Sequence, residues 1–310
     1  MVKIIAEKEA LAEIMEDKML KLLYYELRAR RWAMIGWGLG LAFFAGYIII
    51  LFEDFAEQLE AFNFEDIAIY ELLGDFGDFS TFSGFVSAEV LIFLPVLLGI
   101  YAIVNGTGTL AGEEDSGRLE PIIALPIPRW KLVITKWLAL AITITVILAV
   151  VALSTVVAFY ALPDSVNTGT VEAADLAIAT LAAWPIIMFF GTLGLFLGAF
   201  FPTRRSATVT ATIVLVVSYF GNNLAGLINF LEDINFLFPF KYYNGRETLL
   251  NGVIVTDTLI ILAASAILLV LAVVAFQRRN ITVGDWPWQR GRIPSSDEQA
   301  TEMASGAAAD

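Results

Sequence analysis

Asn105–Lys136 reads NGTGTLAGEEDSGRLEPIIALPIPRWKLVITK, a charged and proline-punctuated stretch caught between two long apolar runs. It is too polar to lie in a bilayer and too short to be a domain of its own. Glu113, Glu114 and Asp115 precede Gly117, Arg118 leads into Leu119 and Glu120, and Leu125-Pro126-Ile127-Pro128-Arg129 makes a stiff return to the next apolar run. By residue type alone this is a solvated connector built of helix caps and turns.

The flanks set the class. Hydrophobic residues are 58% of the 310 and the mean hydropathy is +0.74, which a soluble globular composition does not reach. The apolar residues come in blocks of about 20, the length that crosses a ~30 Å hydrocarbon core as helix. Six such spans are read at about 32–52, 85–104, 137–161, 176–200, 207–227 and 255–276. The expected fold is all-α, a polytopic membrane protein.

Composition also excludes chemistries. The chain has no Cys and no His, which removes disulfides, thiolate and imidazole metal sites, and Ser-His or Cys-His nucleophiles. The net charge of −13 and pI near 4.5 argue against nucleic acid as a partner. Such an acid excess points to a salt-loving source, such as a halophilic archaeon.

Before the first span, residues 1–31 alternate charges with Leu11, Ile14, Met15, Met19, Leu22 and Leu23 at helical spacing. This is an amphipathic helix, expected to lie in the membrane interface; packing on a cytosolic partner is the other use of such a face. Nothing in it resembles a cleaved signal peptide. In the first span, Gly36-x-x-x-Gly40 permits close helix approach, with packing inside the subunit its expected use.

Residues 53–78 are acidic with interleaved aromatics, expected as short outer helices. Their Gly74-Asp75 and Gly77-Asp78 pairs resemble an intramembrane protease motif, but their place between spans favours turns. In the second span, Glu89 is an intramembrane acid and so a candidate for a substrate path, although it lies near enough to the outer end to reach water or headgroups. Pro95 is expected to kink that helix.

The fourth span holds Pro185 and a small face, Gly194-x-x-x-Gly198, suited to a helix contact. The fifth carries Thr208, Thr210, Thr212, Ser218, Asn222 and Asn223. These serve either as interhelical glue or, for Ser218, Asn222 and Asn223, as part of a polar substrate path. Asn229–Gly252 is apolar and aromatic but broken by Pro239, Asn244-Gly245 and Asn251-Gly252, as expected of short re-entrant or interfacial helices. Residues 281–310 form a polar tail, partly disordered by composition.

Lys and Arg are distributed unevenly: seven precede the first span, four lie between the second and third, two between the fourth and fifth, and four follow the sixth. The opposite side holds only Lys241 and Arg246. Positive charge marks the cytosolic side, which puts both termini and the 105–136 stretch inside, in a multi-pass cell-membrane protein.

The same stretch resembles the membrane subunits of ABC-2 type ABC transporters. Their loop after the second span reads roughly Glu-Glu, a spacer, Gly-Thr-Leu-Glu, an apolar run, Leu-Pro-Val-Ser-Arg, then a Lys entering the third span. The match falls on Glu113, Glu114, Gly117, Leu119, Glu120, Leu125, Pro126, Arg129 and Lys136, with departures at Arg118, Pro121 and Pro128. The leader, the six spans and the outer helices extend the resemblance over about residues 10–280.

What the resemblance implies is a permease that exports or flips a substrate by alternating access. Separate ATPase subunits would dock on the loop through Glu113, Glu114, Gly117, Arg118, Leu119, Glu120, Leu125, Pro126 and Arg129. It also implies a dimer of ATPases holding ATP and Mg, a second permease copy or paralogue, and a lipid surround, with no cofactor on this chain. The chain has no Gly-x-x-x-x-Gly-Lys-Ser/Thr phosphate loop, so it is not itself an ATPase of the usual kind. An ATP-independent carrier or a structural assembly factor is the alternative; a carrier should show repeats and mid-span charges.

Overall fold

The structure, a computed structural model, describes residues 2–60, 77–115 and 128–279, with side chains over 18–55, 77–112 and 128–279. It contains α1 (Val2–Glu60), α2 (Phe82–Val86), a π-helical turn (Ser87–Leu91), α3 (Phe93–Asp115) and α4 (Arg129–Ala161). These are followed by α5 (Ala173–Leu181), α6 (Trp184–Phe200), α7 (Arg204–Leu224), α8 (Asn229–Ile234), α9 (Gly245–Asn251) and α10 (Val255–Arg278). No strand occurs among the described residues. Among the described residues, six helical stretches are long and apolar enough to cross a membrane: Lys18–Phe55, Phe82–Gly112, Arg129–Ala161, Ala173–Phe200, Arg204–Leu224 and Val255–Arg278.

The leader and first span form one helix. No Gly or Pro interrupts residues 2–35, and Ala, Leu, Glu, Lys, Arg and Met, all good helix formers, dominate them. The helix therefore runs through residue 31 without a break.

Asn105–Asp115 departs from the loop that the sequence suggests, because α3 carries on through it. Its polar side chains are satisfied by their own helix: Asn105 Nδ2 donates to the Tyr101 carbonyl at 2.8 Å, Thr107 Oγ1 to Ile103 at 2.9 Å and Thr109 Oγ1 to Gly106 at 2.6 Å. Back-bonding of this kind removes the penalty that polarity imposes on a buried helix. The third span likewise begins at Arg129 rather than near Trp137. At 1.5 Å per residue the 33 residues of α4 extend about 50 Å, beyond a ~30 Å core. The surplus lies at the charged end carrying Arg129, Lys131 and Lys136.

The second span is the central post, with 67% of its most apolar window buried against 22% for the last span. It lies chiefly against the fourth span, the first lies against the third, and the sixth leans on the fourth. The contact between second and fourth spans is made through glycine. A Cβ at Gly106 would strike the Gly191 carbonyl, one at Gly194 would lie 2.9 Å from the Ile103 carbonyl, and one at Gly198 3.1 Å from the Thr107 Cα. The Gly194-x-x-x-Gly198 face is thus a helix contact.

Gly36 and Gly40 are not. Both are exposed, and an added Cβ at either would meet nothing within 4 Å. The inward face of α1 is instead Leu41, Ala42, Ala45, Ile49 and Phe52, with Gly46 lying against Ser154 and Ala158. Pro185 lies inside the fourth span, as expected; that span is two helices, and Pro185 occupies the first turn of the second, where a missing N–H costs nothing.

Between α7 and α10 the chain makes α8, the 3-10 turns Asn235–Leu237 and Pro239–Tyr242, and α9, the short helices expected of this segment. Asp78 forms a turn, its carboxylate accepting from Ser80 N at 2.9 Å. Gly74, Asp75 and the tail from 280 lie outside the described residues.

Candidate functional site

The end of the bundle that bears the 113–128 connection is held in part by the charged side chains of Glu26, Arg30 and Lys136. Glu26 of α1 accepts from Lys136 Nζ of α4 at 2.6 Å and from Arg30 at 3.4 Å. Arg30 also donates to Asn105 Oδ1 of α3 at 3.4 Å. Lys136 is fully enclosed, while Glu26 and Arg30 keep 12% and 9% of their side-chain surface. Three helices are thereby joined through charged groups largely withdrawn from water, a setting where removing one partner is expensive.

A second clamp acts where the connection enters α4. Arg129 Nη1 donates to the Arg279 carbonyl at 2.7 Å, and its guanidinium lies 5.9 Å from the Phe276 ring. Arg279 in turn is buried and donates to the carbonyls of Gly198 at 2.8 Å, Ala199 at 3.2 Å and Pro202 at 3.4 Å. These carbonyls lie at or just past the C-terminal ends of α10 and α6, where helices lack partners of their own. Two arginines in series therefore tie the start of the third span to the ends of the sixth and the fourth. An apolar cluster of Leu110, Leu132, Val133, Leu195, Ala199, Ala272 and Phe276 packs between them.

The descending side is gripped from the fifth span. The Arg204 side chain lies along Gly108 and Gly112, where an added Cβ would approach it to 3.1 and 3.0 Å. Thr107 and Thr208 share a hydroxyl hydrogen bond of 2.8 Å. The two flanks of the connection are thus held chiefly by different helices, α3 by the fourth and fifth spans and α4 by the first and sixth, with the Arg30–Asn105 bond and the Arg279 clamp linking the two sets.

Of the proposed docking residues, Glu113 and Glu114 belong to the last turn of α3, their side chains outside the description. Gly117, Arg118, Leu119, Glu120, Leu125 and Pro126 lie outside the described residues. Arg129 is in the clamp.

The substrate-path candidates lie at the opposite end. Glu89 is half-buried on the π-helical turn. Asn222 and Asn223 line a cavity of about 80 Å³ together with Ile92, Pro95, Tyr219, Phe240, Tyr243, Asn244, Gly245 and Arg246. Ser218 is buried and accepts from Phe240 N at 3.2 Å, fastening the second 3-10 turn to α7. The Tyr243 hydroxyl donates to the Leu91 carbonyl at 2.9 Å, and burial pushes its phenol above the ordinary range.

A family model for ABC-2 family transporter proteins matches residues 20–281. The chain belongs to that family. It is a permease subunit of an ABC transporter and a multi-pass membrane protein. No curated protein matches its sequence.

In this permease, reading by residue type missed Glu26, Arg30, Asn105, Arg204 and Arg279 as joints of the loop end. Lys136 figured only as a match to the loop pattern. Glu26 is one of thirteen acidic or basic residues in 1–31 that look alike in sequence, so only the rotation of α1 reveals it. Arg279 read as the ordinary positive end of a span.

Proposed function

We propose that this permease exports or flips an amphiphilic substrate by alternating access, driven by separate ATPase subunits that dock on residues 113–129. A pair of ATPases holding ATP and Mg would act on this chain and on a second permease, a copy or a paralogue, with both termini in the cytosol. The observation that supports this reading is that the two flanks of the connection, α3 and α4, are gripped chiefly by different helices and cross-linked by buried charged groups, so a push there is passed into several spans. Moving one against the other would open or close the bundle at its far end, where Glu89, Asn222 and Asn223 stand as path residues. Rigid helices moving against one another are a standard means of carrying such a motion.

The test is to purify the chain gently in high salt with its co-expressed ATPase and to reconstitute both. Glu114→Lys and Gly117→Pro should separate ATP turnover from transport while the spans stay folded; unchanged transport in both variants would overturn the docking role. Recovery of a folded chain with no ATPase under any mild condition would favour the ATP-independent alternatives. The charge of −13 supports a salt-loving source, and a chain that stays monodisperse in low salt would count against it.

A further inference from the structure

The outward face of α1 is cationic at one level only. Residues 18–31 hold five basic residues and a single acid, Glu26, in a chain of net charge −13, and Glu26 is turned inward to Lys136. Arg28 and Arg31 are turned outward and exposed, three positions apart and so on one face. Neither has an ion pair among the described residues, and no acid stands three or four positions from either on the helix. Their charge is left for something outside the chain.

The span fixes their depth. Residues 32–52 are 21 in number, carry no charge and are closed by Arg31 at one end and Glu53 at the other. As helix they measure about 31 Å, which matches a ~30 Å hydrocarbon core. Both arginines therefore stand where the phosphates of one leaflet begin, on the side of the 113–128 connection, and their long stems reach that level. The Arg31 guanidinium lies 5.5 Å from the Trp32 ring centroid. Trp32, Tyr24 and Tyr25 are all exposed, the aromatic company expected at a membrane boundary.

Two neighbouring rows of the helix lead from this pair into the core. Arg31 is followed at four-residue steps by Ile35, Leu39 and Phe43, all exposed. Arg28 is followed by Trp32, Gly36 and Gly40, and an added Cβ at either glycine would meet nothing within 4 Å. Beyond Trp32 the second row is thus an open trough bordered by the large apolar side chains of the first.

We infer that this face of α1 binds an anionic phospholipid, its phosphate between Arg28 and Arg31 and an acyl chain along Gly36 and Gly40. Guanidinium groups match phosphate oxygens in geometry and charge, and basic side chains at this depth attract acidic headgroups. A second copy paired on the same face by two-fold symmetry would instead set both arginines against their own counterparts, a like-charge contact that the lipid avoids. The lipid would hold α1 at a fixed height one turn from Glu26, the residue that joins α1 to α4. Its binding does not rest on the proposed transport reading and is measured without ATPase or ATP.

The experiment follows the thermal midpoint of the delipidated full chain in detergent against dioleoyl-phosphatidylglycerol, dioleoyl-phosphatidylcholine and inorganic phosphate, at constant ionic strength. Phosphatidylglycerol should raise the midpoint saturably where the other two do not. Arg28→Gln and Arg31→Gln should each weaken its apparent affinity about fivefold, and the double variant about thirtyfold. Because neither arginine has an ion pair to lose, the variants should fold; if the double variant does not, the single ones carry the test. Arg205→Gln, at another exposed arginine near the connection end, should leave the affinity unchanged. An equal loss in Arg205→Gln would reduce the effect to bulk charge, and an equal response to inorganic phosphate would make the ligand a free ion; either overturns the inference. So would equal responses to the two phospholipids, or a lipid-free dimer that Arg28→Gln with Arg31→Gln dissociates, which would give this face to a second copy.

Discussion

The Tyr243 hydroxyl donates to the Leu91 carbonyl at 2.9 Å, the carbonyl that in a regular α-helix would accept from residue 95. That residue is proline and has no N–H to give. The inserted turns between the fifth and sixth spans therefore supply the hydrogen bond that the second span cannot make for itself. The same span closes the i→i+5 bond from Ile92 N to the Ser87 carbonyl at 3.0 Å, so the irregular part of the helix is braced on both sides of Leu91.

Tyr243→Phe should cost about 1–3 kcal/mol, because the Leu91 carbonyl stays enclosed and loses its partner. Measured unfolding in detergent would show this directly. The pH dependence has a definite sign. The phenol's value in the folded chain lies above the ordinary 10.0, so folding holds the proton more tightly than the unfolded chain does. Its contribution is complete below pH 10 and is lost as pH rises beyond that. The wild type should lose stability above that point more steeply than Tyr243→Phe; parallel curves would remove Tyr243 as the cause.

Glu26 and Lys136 call for a double-mutant cycle. Glu26→Gln strips the fully buried Lys136 of its 2.6 Å counter-charge and should destabilise by about 3–5 kcal/mol. The pair replaced together, Glu26→Leu with Lys136→Met, should recover most of that loss, since an apolar pair has no charge to desolvate. ATP-driven transport should stay low in the double variant if the pair fixes α1 to α4 during the stroke. Full transport in a stable double variant would reduce the pair to a packing element.

The spans were legible because each carries about 20 apolar residues, a demand that the bilayer makes on any sequence. Rotation about each helix axis was not. Lipid and neighbouring helices are equally apolar, so hydropathy does not say which face of a span turns inward. That is why Gly36-x-x-x-Gly40 and Gly194-x-x-x-Gly198 look alike on paper, while only the second meets another helix backbone. The end of the second span was misplaced for a different reason: Asn105, Thr107 and Thr109 count as polar in any hydropathy sum, yet their side chains bond back to their own helix. Partners distant in sequence, such as Glu26 and Lys136 or Arg129 and Arg279, left no local signal at all.

The glycine contact between the second and fourth spans and the open Gly36–Gly40 face give a contrast that mutagenesis can read. Gly106→Ala puts a methyl group onto the Gly191 carbonyl, backbone against backbone, with no side chain free to give way. Overpacking of this kind costs about 1–3 kcal/mol. Gly40→Ala meets nothing within 4 Å and improves helix propensity, so its midpoint should equal or exceed the wild type. A large loss in the monomeric Gly40→Ala chain would contradict the orientation of α1.

Arg129 offers the most direct probe of how the loop end carries force. Its guanidinium ties the return of the 113–128 connection to the Arg279 carbonyl at 2.7 Å, and Arg279 reaches on to Gly198 at 2.8 Å. Arg129→Ala removes the first link but leaves the second, so the sixth and fourth spans stay joined and the fold should survive with a loss of about 1.5–3 kcal/mol, the range for a hydrogen bond from a charged group. Arg129→Lys keeps the charge without the planar fork and should recover part of the stability. In proteoliposomes with the partner ATPase, basal ATP turnover should persist in Arg129→Ala while transport per ATP falls, because a push on the connection would no longer reach the sixth span. Equal losses of turnover and transport would mean that Arg129 serves ATPase docking itself, and an unchanged ratio with full activity would mean that force passes through α3 alone.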